Sequence, residues 1–361
     1  MPQNNRVIFP TQALGFATIG SQTFIAAKGV QSANASANIP LDPQFELGQS
    51  AVYENVEDIP QIELTVQKVL DGYPLLYHLA TKGSSTGTLF GRANTQSIVA
   101  MSVFPDTNDS ASGAPVMQIT MSGMYVSSVS YNFSVDGSAT EDVTLVGNHR
   151  TWRTTATFSG GFDNNDSPLA LTYNSGGVQR REDVLFSYTG ITTTDANGQV
   201  NATPALPCTI LPPDVAGISS SGTNELIAGT QNYQCSIQSI SVSADLSRDQ
   251  INELGHKSPY CRTLTIPVSV TTDIEIINKS GDCVNFTEGG SYNGNNTRNA
   301  TIKVASRDGT FIDLGTKNRL SNISHGGGDT GGGNATITYT FETQNYFTVY
   351  HDQDPTSALA A

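Results

Sequence analysis

Reactive side chains are common in this sequence, but their spacing gives none of them a partner. The five histidines, His78, His149, His256, His325 and His351, are scattered. None stands in H-E-x-x-H or another paired metal spacing, so each reads as a surface or packing residue. Serine is frequent, yet its spacing offers no nucleophile elbow: Gly83-Ser84-Ser85-Thr86-Gly87 matches G-x-S-x-G in letters only, with no alternating strand pattern before it. Glu141-Asp142 and Glu182-Asp183 are adjacent carboxylates. Neighbours along a strand point to opposite faces, so these pairs read as solvated charge rather than an acid–base dyad. The four cysteines, Cys208, Cys235, Cys261 and Cys283, contain no C-x-x-C pair and no zinc spacing with histidine. They are expected as free thiols. The glycine-rich run 326–333 lacks the Lys-Ser/Thr ending of a phosphate-binding loop and the nonapeptide of calcium β-helices. It reads as a hairpin loop between Ile323 and Ile337. The sequence therefore offers no catalytic, cofactor-binding or metal-ligating residue, and no cofactor is expected.

What organises the chain is a repeat. Val30-Gln31-Ser32, Glu46-Leu47-Gly48, Tyr53 and Ile59-Pro60 return as Ile237-Gln238-Ser239, Glu253-Leu254-Gly255, Tyr260 and Ile266-Pro267. Every pair is offset by 207 positions without a gap. Such a match points to a duplicated domain. Looser matches follow at an offset near 194, where Tyr125–Ser130 falls on Arg319–Ser324. Val143–Val146 and Ile337–Phe341 are then further strands.

In the second copy Ile240, Val242, Ala244 and Leu246 alternate with polar residues, the period of a half-buried strand. Ser247 with Gln250 three residues on forms a capping-box pattern, and Gly255 sits at a helix-stop position. In the first copy Asp42 and Pro43 take the cap and first-turn places, Phe45 and Leu47 supply the apolar positions, and Gly48 is the stop. A short helix is expected in each copy, with Ile251 and Leu254 facing inward. The next strands, Ile62-Leu64-Val66 and Val268-Val270-Thr272-Ile274-Ile276, are one residue out of phase at the 207 offset, which a bulge after Pro60 would reconcile.

The expected domains are an N-terminal arm or first strand (1–28), a first domain (29–160), a connecting segment (161–230) marked by Gly and Pro, and a second domain (231–361). Few charged residues (14%) and abundant small polar ones favour strands and turns. The fold class expected is all-β: two tandem sandwich or open-barrel domains, each with one short helix. The formal charge of −14 argues against gripping nucleic acid or an anionic membrane. No apolar run suits a signal peptide or a membrane span, so a cytoplasmic origin is expected.

Gln238–Ser241, the block from Glu253 through His256-Lys257-Ser258-Pro259-Tyr260-Cys261-Arg262 to Ile266-Pro267-Val268, and Arg180–Asp183 with Leu211-Pro212 together resemble virion structural proteins of long-tailed bacteriophages. The family named by the resemblance is the two-domain tail tube proteins. It implies trimeric rings with pseudo-sixfold symmetry, stacked into a tube in the virion tail and assembled in the bacterial host cytoplasm. Implied partners are further copies of the chain, a terminator, the baseplate and, where present, a sheath or tape measure. DNA would pass through the lumen without specific binding. An acidic lumen would suit that role, with Glu63, Asp136, Glu141, Asp142 and Glu275 as candidates. The rival readings are another ring-forming tail or baseplate protein and, from a different class, a glycan-binding β-sandwich adhesin.

Overall fold

The structure, a computed structural model, describes residues 7–21, 23–105, 114–154, 156–158, 177–187, 191–194, 200–202, 237–256, 259–277, 302–306, 308–327 and 333–351. Its first-half strands are β1 (Gln12–Thr18), β2 (Ile25–Ala26), β3 (Val30–Asn38), β4 (Leu41–Phe45), β5 (Val52–Glu57) and β6 (Gln61–Val69). Two five-residue helices follow, α1 (Leu76–Ala80) and α2 (Leu89–Ala93). Then come β7 (Ser97–Val103), β8 (Met117–Ser134), β9 (Thr140–Gly147) and β10 (His149–Arg153). The middle of the chain contributes β11 (Val184–Ser187), β12 (Ile191–Thr194) and β13 (Val200–Ala202). The second half contains β14 (Ile237–Asp245), β15 (Arg248–Ile251), β16 (Cys261–Leu264) and β17 (Ser269–Ile277). It ends with β18 (Lys303–Ser306), β19 (Phe311–Asp313), β20 (Arg319–Gly326), β21 (Thr336–Gln344) and β22 (Thr348–Tyr350). The protein is nearly all β, as expected, with large antiparallel sheets. Among the described residues no sheet closes into a barrel.

Eight strands form one continuous antiparallel path, β3-β6-β9-β8-β14-β17-β21-β20. The path is two four-strand units placed side by side. β3-β6-β9-β8 and β14-β17-β21-β20 have the same internal order, and the units meet where β8 pairs with β14. The registers match in detail. β3 shifts against β6 between Val30 and Ser32, and β14 shifts against β17 between Ile237 and Ser239. β8 shifts against β9 between Val126 and Ser128, and β20 against β21 between Leu320 and Asn322. Both irregularities therefore recur at the 207 and 194 offsets. Ala33 faces Val66 while Ile240 faces Ile274. The extra residue therefore lies in the second copy and not in a bulge after Pro60, since β6 pairs with β3 without a shift from Gln61 to Val66; it accounts for the phase slip between the two alternating patterns.

Alternation explains why these segments are strands with one dry face. Ile62, Leu64 and Val66 are buried while Glu63 and Thr65 between them are exposed. Ile240, Val242, Ala244 and Ile274, Ile276 repeat the pattern. Burying each such side chain contributes about 1.5–3 kcal/mol, which sets the register, because a one-residue slip would turn the whole row to water. The dry face packs on α1 and on the small sheet β11-β18-β19-β22. Phe347 wedges between Tyr77 and Tyr131, with ring centroids 6.0 and 6.3 Å away.

β8 belongs to two sheets. Its first part pairs with β7 and β10, its second with β9 and β14. The change falls at Gly123, whose φ of +68° and unpaired position mark a bulge that a side chain would strain. β1 lies inside the first of these sheets, between β2 and β7, with Leu14 and Phe16 in the core.

The short helices expected in the repeat are hairpins instead. β4 pairs with β5 and β15 with β16 over the segments read as helical. Both described α-helices lie at 76–93 in the first half. A helix of so few residues is marginal, and a β-branched and aromatic partner strand, Val52-Tyr53 and Val56, lies a few residues downstream. Gly48 and Gly255, at φ +95° and +91°, provide the left-handed turn. A hairpin and a helix terminus both require that conformation, so glycine did not discriminate. Phe45, Leu47, Ile251 and Leu254 consequently point into solvent rather than inward; Leu47 and Leu254 are fully exposed, at 103% and 102%.

Candidate functional site: an acidic sheet face

The other face of the eight-stranded path is polar. Pairing places Glu63, Asp142, Asp245, Asp273, Glu275 and Glu342 on it, all half-buried or exposed. The rest of this face is mainly Ser, Thr, Asn and Gln. Among the described residues of these strands it carries a single cation, Arg319, at the margin opposite Glu342. The imbalance arises from strand alternation: Lys68, the only lysine of these eight strands, points the other way and is fully buried.

Hydroxyls and amides tie the carboxylates to the sheet. Ser239 Oγ donates to Glu275 Oε2 at 3.0 Å and Thr340 Oγ1 to Asp273 Oδ1 at 2.7 Å. Ser241 Oγ donates to Asn132 Oδ1 at 2.9 Å, and Asn132 Nδ2 donates to Asp142 Oδ2 at 3.2 Å. This last chain runs across the seam between the units. Such groups hold acid side chains along the face while leaving their charge near water, which produces a negative surface with little capacity to hold a phosphate.

The five acidic candidates from the sequence separate cleanly. Glu63, Asp142 and Glu275 share the polar face, and exposed Asp136 lies in the turn between β8 and β9. Glu141 is on the opposite face and fully buried. Its Oε2 accepts from Leu76 N–H at 2.6 Å, and its Oε1 accepts from Tyr77 N–H at 3.0 Å and Tyr131 Oη at 2.9 Å. It thereby caps α1, whose first amides have no intrahelical acceptor. Asp245, Asp273 and Glu342 were not among the candidates, although their places in alternating strands carried the necessary signal.

The buried charges act as structural ties. Lys68 Nζ donates to Asp71 Oδ1 at 2.5 Å and to Lys28 O at 2.9 Å. Asp308 accepts from Thr310 N–H and Oγ1, with His351 Nε2 3.9 Å away. His78 Nε2 lies 3.0 Å from Val349 O, joining α1 to β22. Burial pushes the carboxyls of Asp71, Glu141 and Asp308 above their usual range, against the opposing pull of Lys68 and of their hydrogen bonds. Among the described residues no group of His, Cys, Asp and Glu is arranged to hold a metal ion. Cys261 is a free thiol; the other three cysteines lie outside the described residues.

No family model matches this chain, and no curated protein matches it significantly. Several solved structures do. A chain of the anti-feeding prophage baseplate, reconstructed with sixfold symmetry, is 10% identical, covering 42% of this chain and 97% of its own length, with a TM-score of 0.32. A chain of the tube-terminating cap of the same prophage is 10% identical over 43% of this chain and 95% of its own, with a TM-score of 0.32. A chain of an extracellular contractile injection system sheath–tube complex is 10% identical over 42% and 94%, at a TM-score of 0.29. Likeness this distant leaves function to be argued from the chain itself.

Proposed function

We propose that this protein is a structural component of a phage-like particle. Copies assemble into rings whose inner wall is the acidic sheet face, and stacked rings form a tail tube that conducts DNA. The observation that carries the reading is the pair of four-strand units, matched in order and register and joined edge to edge, with one carboxylate-rich face running across both. A copied unit that already continues its own sheet is suited to building a wall. The resemblance of the 238–268 block to tail tube proteins supports the same reading.

Three chains would set six units around the ring. Closing three eight-strand paths would give about 24 strands, more than the 16–18 that already leave a water-filled channel in porins. Closure removes exposed sheet edges, and head-to-tail repetition of rings gives a filament. A lumen of Glu and Asp repels phosphate, so DNA slides without adhering. Within the particle the partners are further copies of the chain and the tail proteins at either end of the tube.

The test is assembly of the purified protein, followed by sedimentation and negative-stain microscopy. Hollow rings or rods support the proposal. Monomers that remain dispersed at high concentration, with or without glycan binding, refute it.

A further inference from the structure

The seam inside the chain prescribes the contact between chains. β8 pairs antiparallel with β14 from Ser128↔Asp245 to Ser134↔Ser239. The pairing is extended by Leu246 N–H donating to Ser127 O at 2.8 Å and Val135 N–H donating to Gln238 O at 3.0 Å. β8 closes the first unit and β14 opens the second. The equivalent strands at the two ends of the path are β20, which closes the second unit, and β3, which opens the first. Among the described residues β3 pairs with β6 alone and β20 with β21 alone. The chain therefore ends in the two halves of a seam it has already made once.

We infer that β20 of one copy pairs antiparallel with β3 of the next in the register of the internal seam. This rests on the ring reading above. Ala33 corresponds to Ile240 and Asn322 to Ser128. Transferring the seam gives Asn38 opposite Asn322, Ala37 opposite Ile323, Ser36 opposite Ser324, Ala35 opposite His325 and Asn34 opposite Gly326. Ile39 N–H then donates to Ser321 O as Leu246 N–H does to Ser127 O.

Two properties of the strands fit this pairing. β3 reads Val-Gln-Ser-Ala-Asn-Ala-Ser-Ala-Asn, nine residues without a charge or a proline. Edge strands that must stay alone are usually blunted by lysine, proline or inward charge, and β3 carries none of these. The facing chemistry is also conserved. At equivalent places on the polar face the seam sets Ser243 against Ser130 and Asp245 against Ser128, and the transferred register sets Ser36 against Ser324 and Asn38 against Asn322. On the dry face, small Ala35 and Ala37 meet His325 and Ile323, where the seam has Val242 and Ala244 meeting Tyr131 and Val129. The acidic face then passes from chain to chain without a break.

The experiment is cysteine pairing in the full-length assembled protein. Directly opposite residues hold their Cβ atoms about 4.5–5.5 Å apart and diagonal ones about 7–8 Å, so only the former approach disulfide geometry. Ala37→Cys with Ile323→Cys is compared with the shifted pair Ala37→Cys with His325→Cys, and with each single variant on the native cysteine background. Asn38→Cys with Asn322→Cys repeats the test at two exposed polar positions. Under mild oxidation the two in-register pairs are expected to give a ladder of covalent oligomers ending at the ring number, at least tenfold faster than the shifted pair. Faster linkage by the shifted pair overturns the register. Rings visible by microscopy without linkage by any pair overturn the edge contact and leave the ring reading standing. Absence of rings with every variant monomeric removes the ring reading and this contact with it.

Discussion

Ser241 Oγ donates to Asn132 Oδ1 at 2.9 Å across the seam, a side-chain bond that joins the two halves of the acidic face. Asn132 passes the connection on to Asp142 through Nδ2. The amide is needed because it accepts from one neighbour and donates to the other. Asn132→Asp keeps the acceptor, loses the donor and places a second carboxylate beside Asp142. A loss of about 1–2 kcal/mol is expected from the broken bond and the like-charge contact. Ser241→Ala removes one partly buried bond and should cost about 0.5–1 kcal/mol. Urea unfolding of the two variants gives the ranking, and an Asn132→Asp protein as stable as the parent would contradict it.

Glu141 gives the sharpest stability prediction. Glu141→Ala leaves the Leu76 and Tyr77 amides and the Tyr131 hydroxyl without this acceptor in the core. At about 1–3 kcal/mol for each buried unsatisfied group, the loss should reach at least about 3 kcal/mol. Thermal or urea unfolding measures it.

The pH dependence follows from the same carboxyl together with Asp71 and Asp308. Burial raises all three above their ordinary values, so the folded chain binds protons more tightly than the unfolded one. Stability from these groups is present below the ordinary carboxylate range of about 3.8–4.5 and is lost as pH rises through the raised folded values. The expected urea midpoint falls as pH climbs from that range toward neutrality, and Glu141→Gln flattens part of the slope. A midpoint rising over that interval would contradict the assignment.

The hairpin tips carry a prediction about assembly. Glu46-Leu47-Gly48 and Glu253-Leu254-Gly255 are identical, and both leucines stand fully in solvent. Among the described residues no core covers either tip. Leu47→Ser with Leu254→Ser should change unfolding by no more than about 0.5 kcal/mol, as exposed positions do. Ring stacking should fail, so that electron micrographs show single rings where the parent gives rods. Rods of normal length would show that the tips serve no contact between rings.

The acidic face predicts a change in how DNA moves. Glu63→Lys, Asp273→Lys and Glu275→Lys together convert carboxylates on the proposed lumen to phosphate ligands. Each added phosphate contact steepens the salt dependence of binding by nearly one unit of log K per log salt. Particles carrying the triple variant should eject DNA more slowly at low salt and recover as salt is raised. Glu54→Lys, on the exposed β5 hairpin strand, should have no such effect. Ejection of equal speed in both variants would remove the lumen assignment.

The sequence made the sheet readable because alternation is local. Ile240-Val242-Ala244 and Ile62-Leu64-Val66 declare a strand and its buried face without reference to anything distant. The 207-residue offset and the one-residue slip after it were also visible, but the side of the slip was not: the extra residue belongs to the second copy. The hairpins were not readable, because a capping pattern at Ser247 and a glycine at position 255 are compatible with two local structures. Pairing with β16 decided between them. Glu141 was misplaced for a related reason: Glu141 and Asp142 are equivalent as residues, and only strand phase sends one to the core and the other to the acidic face. The continuation of β8 into β14 has no local signature, since strand pairing over a hundred residues apart is decided by the assembled core.

The central claim is that copies of this chain close into a ring with the acidic face inward. A three-dimensional reconstruction of the assembled protein tests it most directly. The account predicts a hollow ring of six similar units from three chains, with Glu63, Asp142, Asp273 and Glu275 lining the channel and the β4–β5 and β15–β16 hairpins reaching toward the neighbouring ring. A ring that turns this face outward, or an assembly in which the eight-stranded sheet never surrounds a channel, would contradict it.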